Sequence, residues 1–93
     1  MTYSVRHTAA FKRDYKLAIR RNLPIDKLQA VVAKLQNGEE LPAANRDHAL
    51  TGPWANHREC HIAPNWLLIY QIYANVLVLE LTRTGTHSDL FGK

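Results

Sequence analysis

The hydrophobic pattern of this 93-residue chain changes once, from a helical repeat in the first half to strand-like runs in the second. Two apolar stripes at helical spacing occupy the first half: Phe11, Tyr15 and Ala18, then Leu28, Val31, Val32 and Leu35. Thr8 is a suitable N-cap for the first helix, and Asn22-Leu23-Pro24 breaks it. Asn37-Gly38 supplies the stop of the second helix. We therefore expect two short antiparallel helices.

Strand patterns account for most of the second half. Apolar side chains alternate or run together in three segments, at residues 58–62, 66–73 and 76–81, and turn residues separate them. Residues 3–7 also alternate and predict a short first strand. The order strand, helix, helix and three or more strands predicts a single α+β domain over residues 1–93. In this domain both helices pack on one face of a mainly antiparallel sheet.

The charge and cysteine content narrow the class of protein. Twelve Lys and Arg against eight Asp and Glu give a net charge of +4, which favours an anionic partner such as RNA, DNA or an acidic protein. The single cysteine, Cys60, lies in an apolar strand pattern, so we expect a buried, inert thiol and no disulfide. The chain shows no signal peptide and no membrane-spanning stretch, which predicts a cytoplasmic protein without a membrane partner.

Four polar residues of the second half are candidates for chemistry. His48 lies in the aperiodic segment 39–56, His61 lies in a predicted strand, and Arg83 and His87 straddle a glycine after the last strand. Cleaving RNA without a metal requires a base, an acid and a cation that stabilises the charged phosphorane. The three histidines are candidates for proton transfer, and Arg83 is the candidate cation. In the alternative interpretation, each histidine is exposed or hydrogen-bonded and has no catalytic role.

Aromatic side chains offer a way to position a nucleotide. Trp66 or Phe91 could stack on a base, as aromatic rings do in proteins that bind single-stranded nucleic acid. The alternative is that both belong to the hydrophobic core.

Other catalytic devices are not indicated. His57 and His61 would lie about 13 Å apart on a strand, at roughly 3.3 Å per residue, which is too far to share one metal ion. No carboxylate–histidine set stands out elsewhere, and the four glycines match no phosphate-binding motif. No serine lies on a strand–turn–helix elbow. We therefore expect general acid–base chemistry with no cofactor and no metal.

Three stretches of the second half carry a family resemblance. They read DHALTGPW at residues 47–54, RECHIAPNWLLIY at 58–70 and RTGTHSDLFG at 83–92. Together they closely resemble YafQ-type toxins, which belong to the RelE superfamily of bacterial toxin–antitoxin systems. The first half resembles the family only in its basic helical hairpin.

The resemblance implies an activity and a set of partners. It implies a compact RelE-like fold and a metal-independent endoribonuclease that cuts messenger RNA in the ribosomal A site. It also implies a cognate antitoxin of the DinJ type, whose N-terminal part binds operator DNA, so that this chain would meet DNA only indirectly. The family's site positions fall on these residues: His48, His61 and His87 for proton transfer, Arg83 for phosphate stabilisation, and Trp66 and Phe91 for shaping the site.

One position departs from the family pattern. Before the tryptophan the YafQ pattern has an aspartate implicated in catalysis, whereas this chain has Asn65. An amide can hydrogen-bond, but it cannot accept a proton or carry negative charge. Asn65 is then a natural variant of a histidine-driven mechanism, the mark of a weakened enzyme, or an engineered substitution. Two further hypotheses therefore stay open: a weakened homologue that binds antitoxin and acts as an operon co-repressor, and a ribonuclease acting on naked RNA.

Overall fold

The first half folds into a strand and two helices, as its hydrophobic pattern predicts. The computed structural model describes residues 2–92. The elements are β1 (Ser4–His7), α1 (Ala9–Arg20) and α2 (Ile25–Gln36). Thr8 is the N-cap of α1, because its Oγ1 accepts a hydrogen bond of 2.9 Å from the backbone N–H of Phe11. Within these residues, no helix is both long enough and apolar enough to cross a membrane.

The second half contains two elements that the sequence pattern did not reveal. Its strands and α-helix are β2 (His48–Ala49), β3 (Arg58–Ala63), β4 (Trp66–Tyr73), β5 (Val78–Gly85) and α3 (His87–Phe91), and single 3-10 turns lie at Ala43–Asn45 and Gly52–Trp54. The very short β2 and the C-terminal α3 are the unforeseen ones. The prediction of the last strand at residues 76–81 was wrong at both ends, because a turn extends through Leu77, which has a positive φ of 55°. The strand therefore starts at Val78 and continues to Gly85.

The five strands form one mixed sheet in the order β1-β5-β4-β3-β2. β1 pairs with β5 in parallel, and the other three pairings are antiparallel. The prediction of a mainly antiparallel sheet is thus confirmed. The order places β4 in the centre and leaves β2, with its histidine, at one edge.

Both faces of the central strand are covered. One face packs on α1 and α2 in a cluster that we call the helix-side cluster, which includes Phe11, Ala18, Leu28, Leu35, Cys60, Trp66, Leu68 and Tyr70. The other face carries the smaller α3-side cluster of Leu67, Ile69 and Leu90, against which Leu50, Trp54 and Phe91 pack. Cys60 is fully buried, and burial raises the pKa of its thiol to about 12, as expected for an inert core residue.

A bulge in β5 changes which way its side chains point. Leu81 pairs with Tyr70, and Arg83 pairs with the next residue back along β4, Ile69, so that Thr82 is the extra residue. Leu81 therefore belongs to the helix-side cluster, whereas Arg83 is opposite Ile69, which belongs to the α3-side cluster. The bulge thus brings Arg83 to the face of the sheet on which the histidines lie.

Candidate active site

Three histidines from three different elements meet around one buried carboxylate, Glu59. In the pairing of β2 with β3, His48 lies directly opposite Glu59, and His48 Nε2 is 3.4 Å from Glu59 Oε1. His61 is two residues further along β3 and therefore points to the same face. His87, the first residue of α3, brings its ring to a centroid distance of 5.9 Å from that of His61. The sequence-predicted histidines thus converge on one point.

Glu59 is the member of this group that the sequence analysis missed. Its side chain is only 5% exposed, and a buried carboxylate is costly unless a cation or hydrogen-bond donor is near it. An ion pair forms with His48 whenever that ring is protonated. A signal was present in the sequence, because Glu59 and His61 occupy alternate positions of a strand and must share a face.

A network of polar side chains fixes the loop that carries His48. Asp47 accepts hydrogen bonds from Tyr70 Oη and, at 2.8 Å, from Arg58 Nε. Burial and the bond to Asp47 raise the pKa of the Tyr70 phenol, which therefore acts as a donor. His48 Nδ1 lies 2.7 Å from the carbonyl oxygen of Arg46 and must donate to it, so Nε2 is the nitrogen that faces Glu59.

The short helix α3, which carries His87, is held by its N-terminal turn. Thr86 Oγ1 accepts from the backbone N–H of Asp89, and Asp89 Oδ2 accepts from the backbone N–H of Thr86, each at 3.0 Å. Arg21 also donates to Asp89 at 2.7 Å, and this bond contributes most to lowering the pKa of Asp89 to about 2. Gly85 makes the turn possible, because a Cβ there would lie 2.9 Å from Asp89 Cβ.

Arg83 does not point freely into solvent. Its Nε and one terminal nitrogen donate to the two carboxylate oxygens of Asp14 on α1, at 2.6 and 3.1 Å. The same carboxylate accepts a hydrogen bond of 3.1 Å from the backbone N–H of Thr84. Thr84 belongs to the part of β5 that lies beyond the residues paired with β1. The bond to Asp14 raises the pKa of Arg83, which remains a permanent cation.

An open groove lies beside Glu59 and His87. Its volume is about 810 Å³. Its apolar walls are Leu50, Pro53, Trp54, Leu90 and Phe91. The Phe91 ring is 6.2 Å from that of His87 and 6.5 Å from that of Trp54. Such a groove can receive a flat aromatic group next to the histidines.

The two remaining candidate residues lie apart from this groove. Trp66 is 2% exposed and belongs to the helix-side cluster, so its ring is on the opposite face of the sheet from His61. Asn65 is exposed in the turn that joins β3 to β4, immediately before Trp66. The structure therefore gathers His48, His61, His87 and Phe91, sets Arg83 on the same face, and leaves Trp66 as a core residue.

Known proteins share this sequence and this fold. A family model described as the bacterial toxin YafQ of type II toxin–antitoxin systems matches residues 3–92. The chain is 38% identical over 89 residues to the mRNA interferase toxin YafQ of Escherichia coli K12, covering 95% of each protein. It matches a chain of the E. coli DinJ–YafQ toxin–antitoxin complex with a TM-score of 0.89, at 35% identity over 99% of this chain and 100% of that one.

A metal-bound toxin from Helicobacter pylori matches equally well, with a TM-score of 0.90 at 34% identity over 98% of this chain and 100% of that one. These matches span nearly the whole chain and confirm both the resemblance and the α+β fold. The chain belongs to the YafQ family of bacterial type II toxin–antitoxin toxins.

Proposed function

We propose that this chain is a ribosome-dependent messenger RNA interferase, an endoribonuclease that cleaves messenger RNA in the ribosomal A site and so inhibits translation. The observation that carries the proposal is the convergence of His48, His61 and His87 on Glu59, beside an aromatic groove. The E. coli relative is named an mRNA interferase toxin, which supports the same reaction class.

The proposed reaction is metal-independent acid–base cleavage. One histidine takes the proton of the 2′-hydroxyl, which attacks the adjacent phosphorus, and a second protonates the 5′ oxygen as the P–O bond breaks. His48, His61 and His87 share these two roles. Phe91, at the edge of the groove, positions a base by stacking.

Arg83 stabilises the negative charge that develops on the phosphorane. Asp14 occupies Nε and one terminal nitrogen of the guanidinium, so the side chain is oriented and the remaining N–H groups can serve the phosphate. Trp66 contributes by packing, because it is buried directly after the Asn65 turn and fixes the end of β4.

The proposed partners follow from the same family. A DinJ-like antitoxin neutralises the toxin, as the DinJ–YafQ complex of E. coli suggests, and the net charge of +4 suits an acidic partner segment. The ribosome with its messenger RNA supplies the substrate. Contact with operator DNA is indirect, through the antitoxin, and the proposed place of action is the cytoplasm.

A ribosome-coupled cleavage assay tests this function. His87→Ala and Arg83→Ala should each lower the cleavage rate, by about 10²–10⁴-fold for the histidine, since general acid–base groups contribute that much. The matched controls are His7→Ala and Arg20→Ala, at exposed positions outside the groove. Lost cleavage with an unchanged thermal midpoint would support the role of His87. Arg83→Ala also removes the partner of Asp14, so its cleavage is measured at a temperature at which the variant is folded, and full cleavage by both site variants would refute the roles.

Asn65 favours a second candidate function. In place of the family's aspartate, the exposed amide weakens catalysis, and the chain then serves mainly to bind antitoxin and co-repress the operon. This hypothesis predicts antitoxin binding and antitoxin-dependent repression without measurable cleavage by the chain as it stands. Cleavage of ribosome-bound messenger RNA at a rate that His87→Ala abolishes would exclude it.

A further inference from the structure

Five aromatic rings form a continuous row on the α3 side of the sheet. The distances between the centres of neighbouring rings are 5.5, 6.5, 6.2 and 5.9 Å, in the order His57, Trp54, Phe91, His87 and His61. The row begins in the loop between β2 and β3, crosses the groove and ends at the histidines of the candidate active site. Two of its members, Trp54 and His57, have no role in the proposed reaction.

We propose that Trp54 is a substrate-binding residue, which stacks on the base of a nucleotide next to the one that is cleaved. This rests on the proposed function, because the occupant of the groove is then single-stranded RNA. Aromatic rings bind single-stranded RNA because every nucleobase has a π face. Phe91 lies between Trp54 and His87 in the row, so a base on Trp54 is further from the reacting phosphate than a base on Phe91.

The orientation of the rings suits a stacked base. Trp54 is nearly perpendicular to both of its neighbours, at 86° to His57 and 84° to Phe91. None of these three rings is therefore stacked face to face on another, and the parallel stacking that a base makes is not already used within the protein. The indole is half-buried and lines the open groove beside Pro53. A nucleobase that enters the groove can lie flat on it.

The loop that carries Trp54 is held in one shape. The backbone N–H of Leu50 donates to the carbonyl of His57 at 3.0 Å, and the N–H of His57 donates to the carbonyl of Trp54 at 3.1 Å. Gly52, with a φ of 65°, opens a 3-10 turn whose second residue is Pro53. Leu50 and Trp54 also pack on the α3-side cluster. A ring that is already ordered loses little conformational freedom on binding, which favours stacking on it.

The charge of the groove distinguishes a nucleobase from an acidic protein segment. Among residues 2–92, those that line the groove include no lysine or arginine, and the carboxylate of Glu59 lies at its polar end. An acidic segment gains no ion pair there and meets a like charge. A nucleobase is flat and uncharged, so it suits the apolar walls. Its phosphate can remain at the rim, toward Arg83.

Intrinsic fluorescence tests this contact with neither ribosomes nor cleavage. The chain has two tryptophans, and Trp66 is 2% exposed in the helix-side cluster, so a change of emission on RNA binding reports on Trp54. A single-stranded oligonucleotide with 2′-O-methyl groups cannot be cleaved and should quench this emission. Trp54→Phe should remove the quenching but keep most of the affinity, which the anisotropy of a labelled oligonucleotide measures.

A second variant measures what the stacking contributes. Trp54→Leu should weaken binding of the oligonucleotide by about 5- to 100-fold, as the loss of one stacked aromatic ring does. Tyr15→Leu is the matched control, because Tyr15 is also half-buried and packs on the other cluster; the affinity should not change. Both variants are compared at a temperature at which circular dichroism shows them to be folded.

Three results in these experiments would overturn the proposal. The first is an emission that RNA does not change, and the second is equal affinity of the starting chain and Trp54→Leu for the oligonucleotide. The third is an emission that responds to an antitoxin and not to RNA, which would assign the groove to the protein partner.

Messenger RNA that lacks a single base tests where the contact lies. Removing the base on one side of the cleaved nucleotide should slow cleavage by the starting chain as much as Trp54→Leu does, with no further loss when the two changes are combined. Trp54→Leu should act mainly on KM, because Phe91 separates the indole from His87, whereas His87→Ala acts on kcat. Additive losses for the bases on both sides would contradict the stacking.

The two proposals can fail separately. Quenching of Trp54 by the oligonucleotide, in a chain that never cleaves ribosome-bound messenger RNA, would contradict the proposed function and leave the stacking site intact. Cleavage that requires His87 and is unaffected by Trp54→Leu would leave the proposed function standing and overturn the role of Trp54.

Discussion

Replacing Asp89 with asparagine should remove the ion pair with Arg21 that joins α3 to the end of α1. The loss of this pair should appear in the pH dependence of the free energy of unfolding. The carboxylate of Asp89 accepts hydrogen bonds from Arg21 and from the backbone of Thr86, and these lower its pKa from 3.8 to about 2. Asparagine keeps the shape of the side chain but carries no charge. The variant therefore tests the ion pair while preserving much of the helix cap.

The size of the effect follows from the pKa and the exposure. A fall of the pKa from 3.8 to about 2 corresponds to roughly 2.4 kcal/mol if no solvent screens the charges. The side chains of Asp89 and Arg21 are 26% and 42% exposed, however, and exposed pairs contribute much less. We therefore expect Asp89→Asn to lower the free energy of unfolding by about 1 kcal/mol at pH 7, and the thermal midpoint by about 5 °C.

The direction of the pH dependence is fixed by the lowered pKa. The folded state holds the proton of Asp89 less tightly than the unfolded state, so its contribution is complete above pH 3.8 and disappears as the pH falls toward 2. Urea denaturation at pH 7, 4 and 2.5 should show that the unfolding free energies of the starting protein and Asp89→Asn differ least at the lowest pH. Glu39→Gln, at an exposed position after α2, serves as the control.

A functional result accompanies the stability change. Because His87 is the first residue of α3, a loosened helix should reduce ribosome-coupled cleavage at pH 7 while the protein is still folded. A difference in unfolding free energy that stays constant from pH 7 to 2.5 would refute the ion-pair reasoning. So would equal stability of the two proteins at pH 7.

Three further substitutions probe the supports of the site. Tyr70→Phe should lower the unfolding free energy in urea denaturation by about 1 kcal/mol, because Asp47 loses a buried donor. It should also slow cleavage in the ribosome-coupled assay, because the loop before β3 is loosened. Gly85→Ala should cost about 1–3 kcal/mol, since its Cβ would lie 2.9 Å from Asp89 Cβ, and an unchanged thermal midpoint would contradict this packing. Asn65→Asp should increase cleavage and toxicity with little change in stability, because the turn is exposed; equal cleavage would mean that the carboxylate is dispensable.

Elements with a long periodic pattern could be predicted from the sequence. The central strand occupies residues 66–73 as expected, because its apolar run is long and turn residues bound it on both sides. The helix α3 was missed, since it is too short to show a period. Thr86 and Asp89 nevertheless indicate the start of this helix, because they are three residues apart, as in a capping box.

The neighbours of the site residues could not be predicted in the same way. The contact of Asp14 with Arg83 joins residues 69 positions apart and depends on how α1 crosses β5. The placement of Trp66 depends on strand register, because one residue of slip reverses the face on which every side chain lies. Sequence patterns assign a residue to an element, but only the pairing of elements decides which side chains meet.

The extra residue at Thr82 decides on which face of the sheet the end of β5 presents its side chains. Ahead of it, the side chains of Leu79 and Leu81 fill the hydrophobic core; after it, Arg83 lies on the reactive side of the sheet. If Thr82 were retained but paired in simple alternation, Arg83 would lie on the same face as Leu81, and its guanidinium would enter the apolar interior. A change that straightens the bulge while keeping Thr82 would therefore harm folding and activity at once, whereas substitutions on either side of Thr82 can alter one without the other.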